Sequence, residues 1–106
     1  MNIDNLTTEE TKILELLKTV MDPEVAVNIV DLGLIYEIHY QEERKRIHVV
    51  TTLSTRGCPL GDTIMQNIEV VIQSVYPGMD VDVELTWEPE WTPDMITEDG
   101  RKAIDG

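Results

Sequence analysis

The stretch Thr51-Thr52-Leu53-Ser54-Thr55-Arg56-Gly57-Cys58-Pro59-Leu60-Gly61-Asp62 changes character in its middle. It begins as the end of an alternating apolar run, breaks at Gly57 and restarts at Pro59. Proline suits the first turn of a helix, where its missing N–H would have had no partner. The reading is strand, loop, helix, with Cys58 as the N-cap residue. Its sulfur would then lie against unpaired N–H groups and the positive end of the helix dipole, a setting that favours thiolate over thiol. Cys58 is the only cysteine in the chain.

Upstream, Ile47, Val49, Thr51 and Leu53 alternate with His48, Val50 and Thr52, and Leu34, Tyr36, Ile38 and Tyr40 alternate with Glu37 and His39. Both runs have the period of half-buried strands. The polar segment Gln41 to Lys45 reads as the hairpin loop between them. Centring that loop between Glu43 and Arg44 makes Tyr40 face Ile47 and Ile38 face Val49, with His39 opposite His48 on the other face. Downstream, Leu60, Ile64, Ile68, Val71, Ile72 and Val75 keep helical spacing. Asp62 suits the helix dipole, Met65 reads as packing, and Tyr76-Pro77-Gly78 ends the helix. Val81, Val83, Leu85 and Trp87 then alternate with Asp80, Asp82, Glu84 and Thr86 as a third strand.

At the other end, Thr7 and Glu10 have capping-box spacing, and Ile13, Leu14, Leu17 and Val20 mark one helix face. That helix is expected to stop near Met21, because Pro23 pushes Asp22 out of helical backbone. Asp22-Pro23-Glu24 reads as an extended or turn segment with two carboxylates, followed by an irregular piece from Val25 to Asp31 that leads to Gly33. In the tail, Thr92-Pro93 starts a short helix, and Thr97 caps a last turn near Ile104. Trp91 is expected to pack against the sheet or beside the Cys58 loop, with an exposed partner site as the alternative. The sum is an α+β fold in one domain over residues 1–106: a two-layer sandwich, its three-stranded mixed sheet covered on one face by two helices, in the order α-β-β-α-β plus short C-terminal helical turns. A right-handed crossover makes the second and third strands parallel, and the first strand could lie between them.

The chain has 106 residues, 42% hydrophobic and 27% charged, with a formal net charge of -13. That composition suits a soluble globular protein. The charge argues against nucleic acid, since only Arg44-Lys45-Arg46 cluster among the basic residues. One cysteine cannot form an internal disulfide, so the expected compartment is the cytoplasm. Met1 to Asn5 has no basic region or apolar run, so no signal peptide is expected, and no segment approaches the ~20 apolar residues that span a bilayer.

Three chemistries are open to Cys58. The first reading is a small, inert, buried residue. As a nucleophile it would need a base, and the two histidines lie on the hairpin, with His48 about 20 Å of extended strand from Ser54. As a soft ligand it would bind iron, zinc or a cluster, with help from Asp22, Glu24, a partner or a second subunit, because clusters usually take four thiolates. His39 and His48 themselves are either a metal-ligand pair or an exposed pair on an uncovered face.

Asp22-Pro23-Glu24, Asn28-Ile29-Val30-Asp31-Leu32-Gly33-Leu34, Thr52 with Thr55-x-x-Cys58-Pro59-Leu60, and Trp87-x-Pro89-x-Trp91-Thr92-Pro93-Asp94-Met95 together resemble the SufT and PaaD family of metal–sulfur cluster assembly factors. The resemblance covers nearly the whole chain after the first helix. It implies a fold like the C-terminal domain of NifU-like scaffolds. It implies a non-enzymatic accessory factor in iron–sulfur cluster assembly or delivery, working with the assembly machinery and apo-client proteins. Iron or an iron–sulfur cluster would be a transient cofactor. The family's reactive cysteine carries over to Cys58, its acidic motif to Asp22 and Glu24, and its threonines to Thr52 and Thr55. Asn28 and Asp31 match as well, with Asp31 bracing its loop, and Trp91 falls in the tail motif. PaaD-like members carry extra cysteines in a C-terminal extension that is not seen here, so the expectation is the SufT-like side. A homodimer would bring two Cys58 sulfurs together. The alternatives from the residues alone are a small thiol-dependent hydrolase or redox enzyme and a plain interaction module.

Overall fold

The computed structural model describes residues 6–22, 26–53 and 61–105. In chain order these form α1 (Thr8–Leu17), β1 (Met21–Asp22), β2 (Val27–Asn28), β3 (Ile35–Gln41), β4 (Arg46–Thr51), α2 (Gly61–Val75), β5 (Asp80–Leu85), a 3-10 turn (Pro93–Met95) and α3 (Glu98–Asp105). The α+β sandwich expected from the alternation is present. The sheet order is β3-β4-β5, with β3 antiparallel and β5 parallel to β4.

The hairpin register is the expected one: Tyr40 pairs with Ile47, Ile38 with Val49 and His39 with His48. The first strand does not lie between the other two. β4 takes the centre because both of its faces are the least charged, with Ile47, Val49 and Thr51 fully buried and Val50 nearly so. β3 and β5 carry Glu37, Asp80, Asp82 and Glu84, and charged side chains belong on edges.

A capping box starts α1: Thr7 Oγ1 accepts from Glu10 N–H, and Glu10 Oε1 accepts from Thr7 N–H. The helix ends at Leu17, short of the expected Met21, because Met21–Asp22 pairs with Val27–Asn28 and must be extended already. This two-strand hairpin replaces the irregular piece read from the sequence. Ala26 takes a left-handed φ of 56° in its turn.

Ile13 and Leu17 of α1 and Ile64, Ile68 and Ile72 of α2 meet Leu34, Ile35, Ile38, Ile47 and Val49 in one apolar core. Fully burying each such side chain contributes roughly 1.5–3 kcal/mol. Leu53, Val20 and Ile29 extend the core past the ends of the strands. No described helix is long and apolar enough to cross a membrane.

A bulge interrupts β3. Ile35 pairs with Thr51 and Glu37 with Val50, so Tyr36 is the extra residue. Ile35 takes the inward place that simple alternation would give to Tyr36, and Tyr36 turns to the side away from the helices, beside Glu37 and Val50.

Candidate functional site

The end of the sheet from which the Cys58 segment departs is closed by the tail. Tyr36 Oη donates to Pro89 C=O at 2.8 Å and reaches Met95 Sδ at 3.5 Å. Trp91 Nε1–H donates to Leu32 C=O at 2.7 Å, so Trp91 packs against the core as one of its two expected alternatives. Asp31 is a brace. Its carboxylate accepts from Asn28 Nδ2 at 2.7 Å and from Thr97 Oγ1 at 3.0 Å, while its N–H donates to Asn28 Oδ1 and its C=O accepts from Thr97 N–H. Thr97 Oγ1 in turn accepts from Gly100 N–H and starts α3, as the tail sequence led us to expect.

Gly33 sits where this brace meets the tail. Its φ is +80°, and a Cβ there would fall on the backbone of Met95. Glycine is thus required both for the left-handed turn and for the close approach.

A relay of backbone hydrogen bonds ties the acidic turn to the end of β4. Ile29 N–H donates to Val20 C=O at 2.9 Å, Leu34 N–H to Ile29 C=O at 3.0 Å, and Thr52 N–H to Leu34 C=O at 2.8 Å. Asp22, two residues beyond Val20 and only 6% exposed, therefore belongs to the same end of the molecule as Thr52. Asn28, Asp31 and Trp91 belong to it too. Glu24, Thr55 and Cys58, with the expected cap and Pro59 helix start, lie outside the described residues.

Thr52 is fully buried, and its hydroxyl oxygen has no hydrogen-bond partner among the described residues. Burial pushes the neighbouring Tyr36 hydroxyl above its ordinary pKa, and Thr52 partly offsets that. In that contact the Thr52 hydroxyl faces Tyr36 Oη as a donor without meeting full hydrogen-bond geometry, while Tyr36 gives its own proton to Pro89 C=O. A buried hydroxyl left wholly without a partner would be destabilising by roughly 1–3 kcal/mol, so the Thr52 hydroxyl, beside the start of the Cys58 segment, has capacity for a further partner.

The histidines are elsewhere. Their rings stack at 5.8 Å with 19° between planes in the middle of the sheet face opposite the helices. Nε2 of His39 lies 2.9 Å from Glu37 Oε1, and Nε2 of His48 lies 3.1 Å from Glu84 Oε1. The ring nitrogens diverge to separate carboxylates. Among the described residues, no group of three or more His, Cys, Asp or Glu is placed to hold a metal ion.

A family model described as iron-sulfur cluster assembly protein matches residues 10–85, from the α1 cap to the end of β5. The chain belongs to the iron–sulfur cluster assembly protein family. Over 99 residues it is 40% identical to an Fe-S protein maturation auxiliary factor of Porphyromonas gingivalis, covering 93% of this chain and 92% of that one. Over 85 residues it is 34% identical to the Fe-S protein maturation auxiliary factor SufT of Staphylococcus aureus, covering 80% and 96%. The crystal structure of a domain of unknown function from Bacillus anthracis superposes with a TM-score of 0.84 at 28% identity, over 91% of each chain.

Some residues that build this end were not singled out in the sequence. Tyr36 was hidden because a bulge leaves no mark on an alternating pattern. Thr97 was seen as a helix cap but not as a partner of Asp31, 66 positions away.

Proposed function

We propose that this member of the family is a non-enzymatic accessory factor that helps iron–sulfur clusters reach apo-proteins, with Cys58 as the residue that contacts iron or sulfide. The observation that carries the reading is the 40% identity to an auxiliary maturation factor over nearly the full length of both chains. The cluster or iron is cargo, passed between assembly machinery and client, and Cys58 holds it only transiently.

The buried hydroxyl of Thr52, without a hydrogen-bond partner among the described residues, supports the reading. A hydroxyl with no committed acceptor can donate to an anionic sulfur, and hydrogen bonding to the charged form lowers a thiol's pKa. Thr55 would act in the same way from within the loop. The N-terminus of α2 would add to the effect, whereas Asp22 and Glu24 would oppose it as nearby negative charges while offering hard oxygen ligands. Asn28, Asp31 and Trp91 would hold the acidic turn and the tail in place around Cys58.

A thiol-dependent enzyme is the weaker reading. It would need a base, and both histidines are paired with glutamates in the middle of the sheet. The test is anaerobic: a cluster-loaded donor, an apo-dehydratase that needs a [4Fe–4S] cluster, and this protein as wild type or Cys58→Ser. Wild type should speed activation of the dehydratase, and Cys58→Ser should not. Equal acceleration by the serine variant would remove Cys58 from the mechanism.

A further inference from the structure

The two edges of the sheet are finished differently. On β3, Tyr40 N–H donates to Glu10 Oε2 at 2.9 Å, so a side chain of α1 takes up one outward donor of that edge. β5 forms the other edge, and no described residue pairs with its outer side. Asp80 N–H donates to Lys45 C=O at 2.8 Å, and Thr86 N–H to Thr51 C=O at 2.9 Å. Backbone groups alternate sides along a strand, so the even-numbered residues bond to β4. Val81, Val83 and Leu85 turn their N–H and C=O groups outward.

The side chains at this edge have a definite pattern. Val81, Val83 and Leu85 lie on the core side and are half-buried, whereas their cross-strand neighbours Ile47, Val49 and Thr51 are fully buried. The apolar layer thus stops short at β5. On the opposite face stand Asp82, 2.6 Å from Arg46 Nη2, and Glu84, 3.1 Å from His48 Nε2, and both carboxylates stay about half exposed despite these neighbours. Beyond them a cavity of about 220 Å³ is lined by Glu37, Glu84 and Glu88 around Val50 and Pro89.

We infer that the β5 edge is a docking site for an extended segment of a partner protein in which apolar residues alternate with lysine or arginine. Such a segment would pair its backbone with Val81, Val83 and Leu85. Its apolar side chains would complete the half-covered layer over β5. Its cationic side chains would lie beside Asp82 and Glu84, with the carboxylate-lined cavity next to them. Charge complementarity selects this occupant over a second copy of the chain. Two β5 strands paired with each other would set Asp82 and Glu84 against their own kind on one face, and like charges directly opposite are destabilising. The net charge of -13 opposes self-association further. Neither the edge nor its charges involve Cys58, so this docking site stands or falls separately from the proposed thiolate role.

The probe is an acetylated and amidated octapeptide of alternating valine and arginine. Backbone amide exchange is followed by NMR on the full chain. The peptide should slow exchange at Val81, Val83 and Leu85 by about tenfold or more at saturation, and should bind more weakly as salt is raised. Replacing its arginines by glutamate should weaken binding by about tenfold or more, and methylating its edge-facing amides should have a similar effect. The double variant Asp82→Lys with Glu84→Lys should reverse the preference between the two peptides. The proposal is overturned if the arginine peptide does not bind. It is also overturned by binding without protection of those three amides, or by equal binding of the glutamate and arginine peptides. Protection of the edge by self-association in the absence of peptide would overturn it as well.

Discussion

The two ends of the three-stranded sheet are assembled by different means. The hairpin end, around Gln41 and Arg46, is made by residues adjacent in sequence, and its loop from Glu42 to Lys45 is exposed. The opposite end is made by residues far apart in sequence: Tyr36 with Pro89, Leu32 with Trp91, and Asp31 with Thr97. The described motif residues Asp22, Asn28, Asp31, Thr52 and Trp91 lie at the second end. Loop closure between distant segments is unfavourable in entropy, so an end held this way has to be fixed by specific contacts, and those contacts are where substitutions should be felt.

Substitutions can be graded against that difference. Ile68→Asp should abolish both ends at once, because it places an unpaired charge in a fully buried position of the core, with a loss above about 4 kcal/mol. The check is the absence of a cooperative urea transition. Gly33→Ala should strike the tail-closed end alone. It forces a left-handed residue to carry a Cβ onto the Met95 backbone, for a loss of about 2–4 kcal/mol in urea unfolding. Substituting Glu43 by alanine in the exposed loop should change stability by less than about 0.5 kcal/mol. If Gly33→Ala is as mild as the loop change, the contrast between the two ends is wrong.

Asp31→Ala should come next, at about 1–3 kcal/mol, since it strands Asn28 and uncouples Thr97. Tail amides near Thr97 and Gly100 should lose exchange protection, while those of the β3–β4 hairpin keep theirs. Glu10 tests the α1 contact with the β3 edge through pH. Burial disfavours its charge, but hydrogen bonds from Thr7 and Tyr40 N–H and the Thr7 hydroxyl outweigh this, and its pKa is lowered. A lowered carboxyl pKa stabilises the fold above the unfolded-state value, and that contribution is lost as pH falls through the folded value. Wild type should therefore lose stability more steeply than Glu10→Gln across the acid range, and parallel pH curves would contradict the bonding seen at Tyr40. The smallest effect should come from His39→Asn, within about 0.5 kcal/mol, because the pair it breaks is only half-buried and open to solvent.

This grading also explains what could be read from the sequence. The hairpin register followed from alternation and loop length, and the α1 cap from Thr7 and Glu10, because each depends on near neighbours. The order of strands did not follow. A crossover helix makes two strands parallel without saying on which side of the hairpin the third one lands, and the charges on Asp80, Asp82 and Glu84 were the available hint. The β1–β2 pair is too short to show a period. At the candidate site, the motifs named Asp22, Asn28, Asp31, Thr52 and Trp91, but the backbone relay from Val20 to Thr52 that joins them depends on folding. The Thr52 hydroxyl, without a hydrogen-bond partner among the described residues, was likewise invisible, since any threonine at a strand end looks satisfiable.

The central claim is that this chain supports iron–sulfur enzymes in cells through Cys58. It is tested most directly in a strain lacking its own copy, by measuring the activity of an iron–sulfur dehydratase after complementation at matched protein levels. Wild type should restore the activity, and Cys58→Ser, folded to the same extent, should leave it at the level of the empty vector. Full restoration by Cys58→Ser would contradict the account.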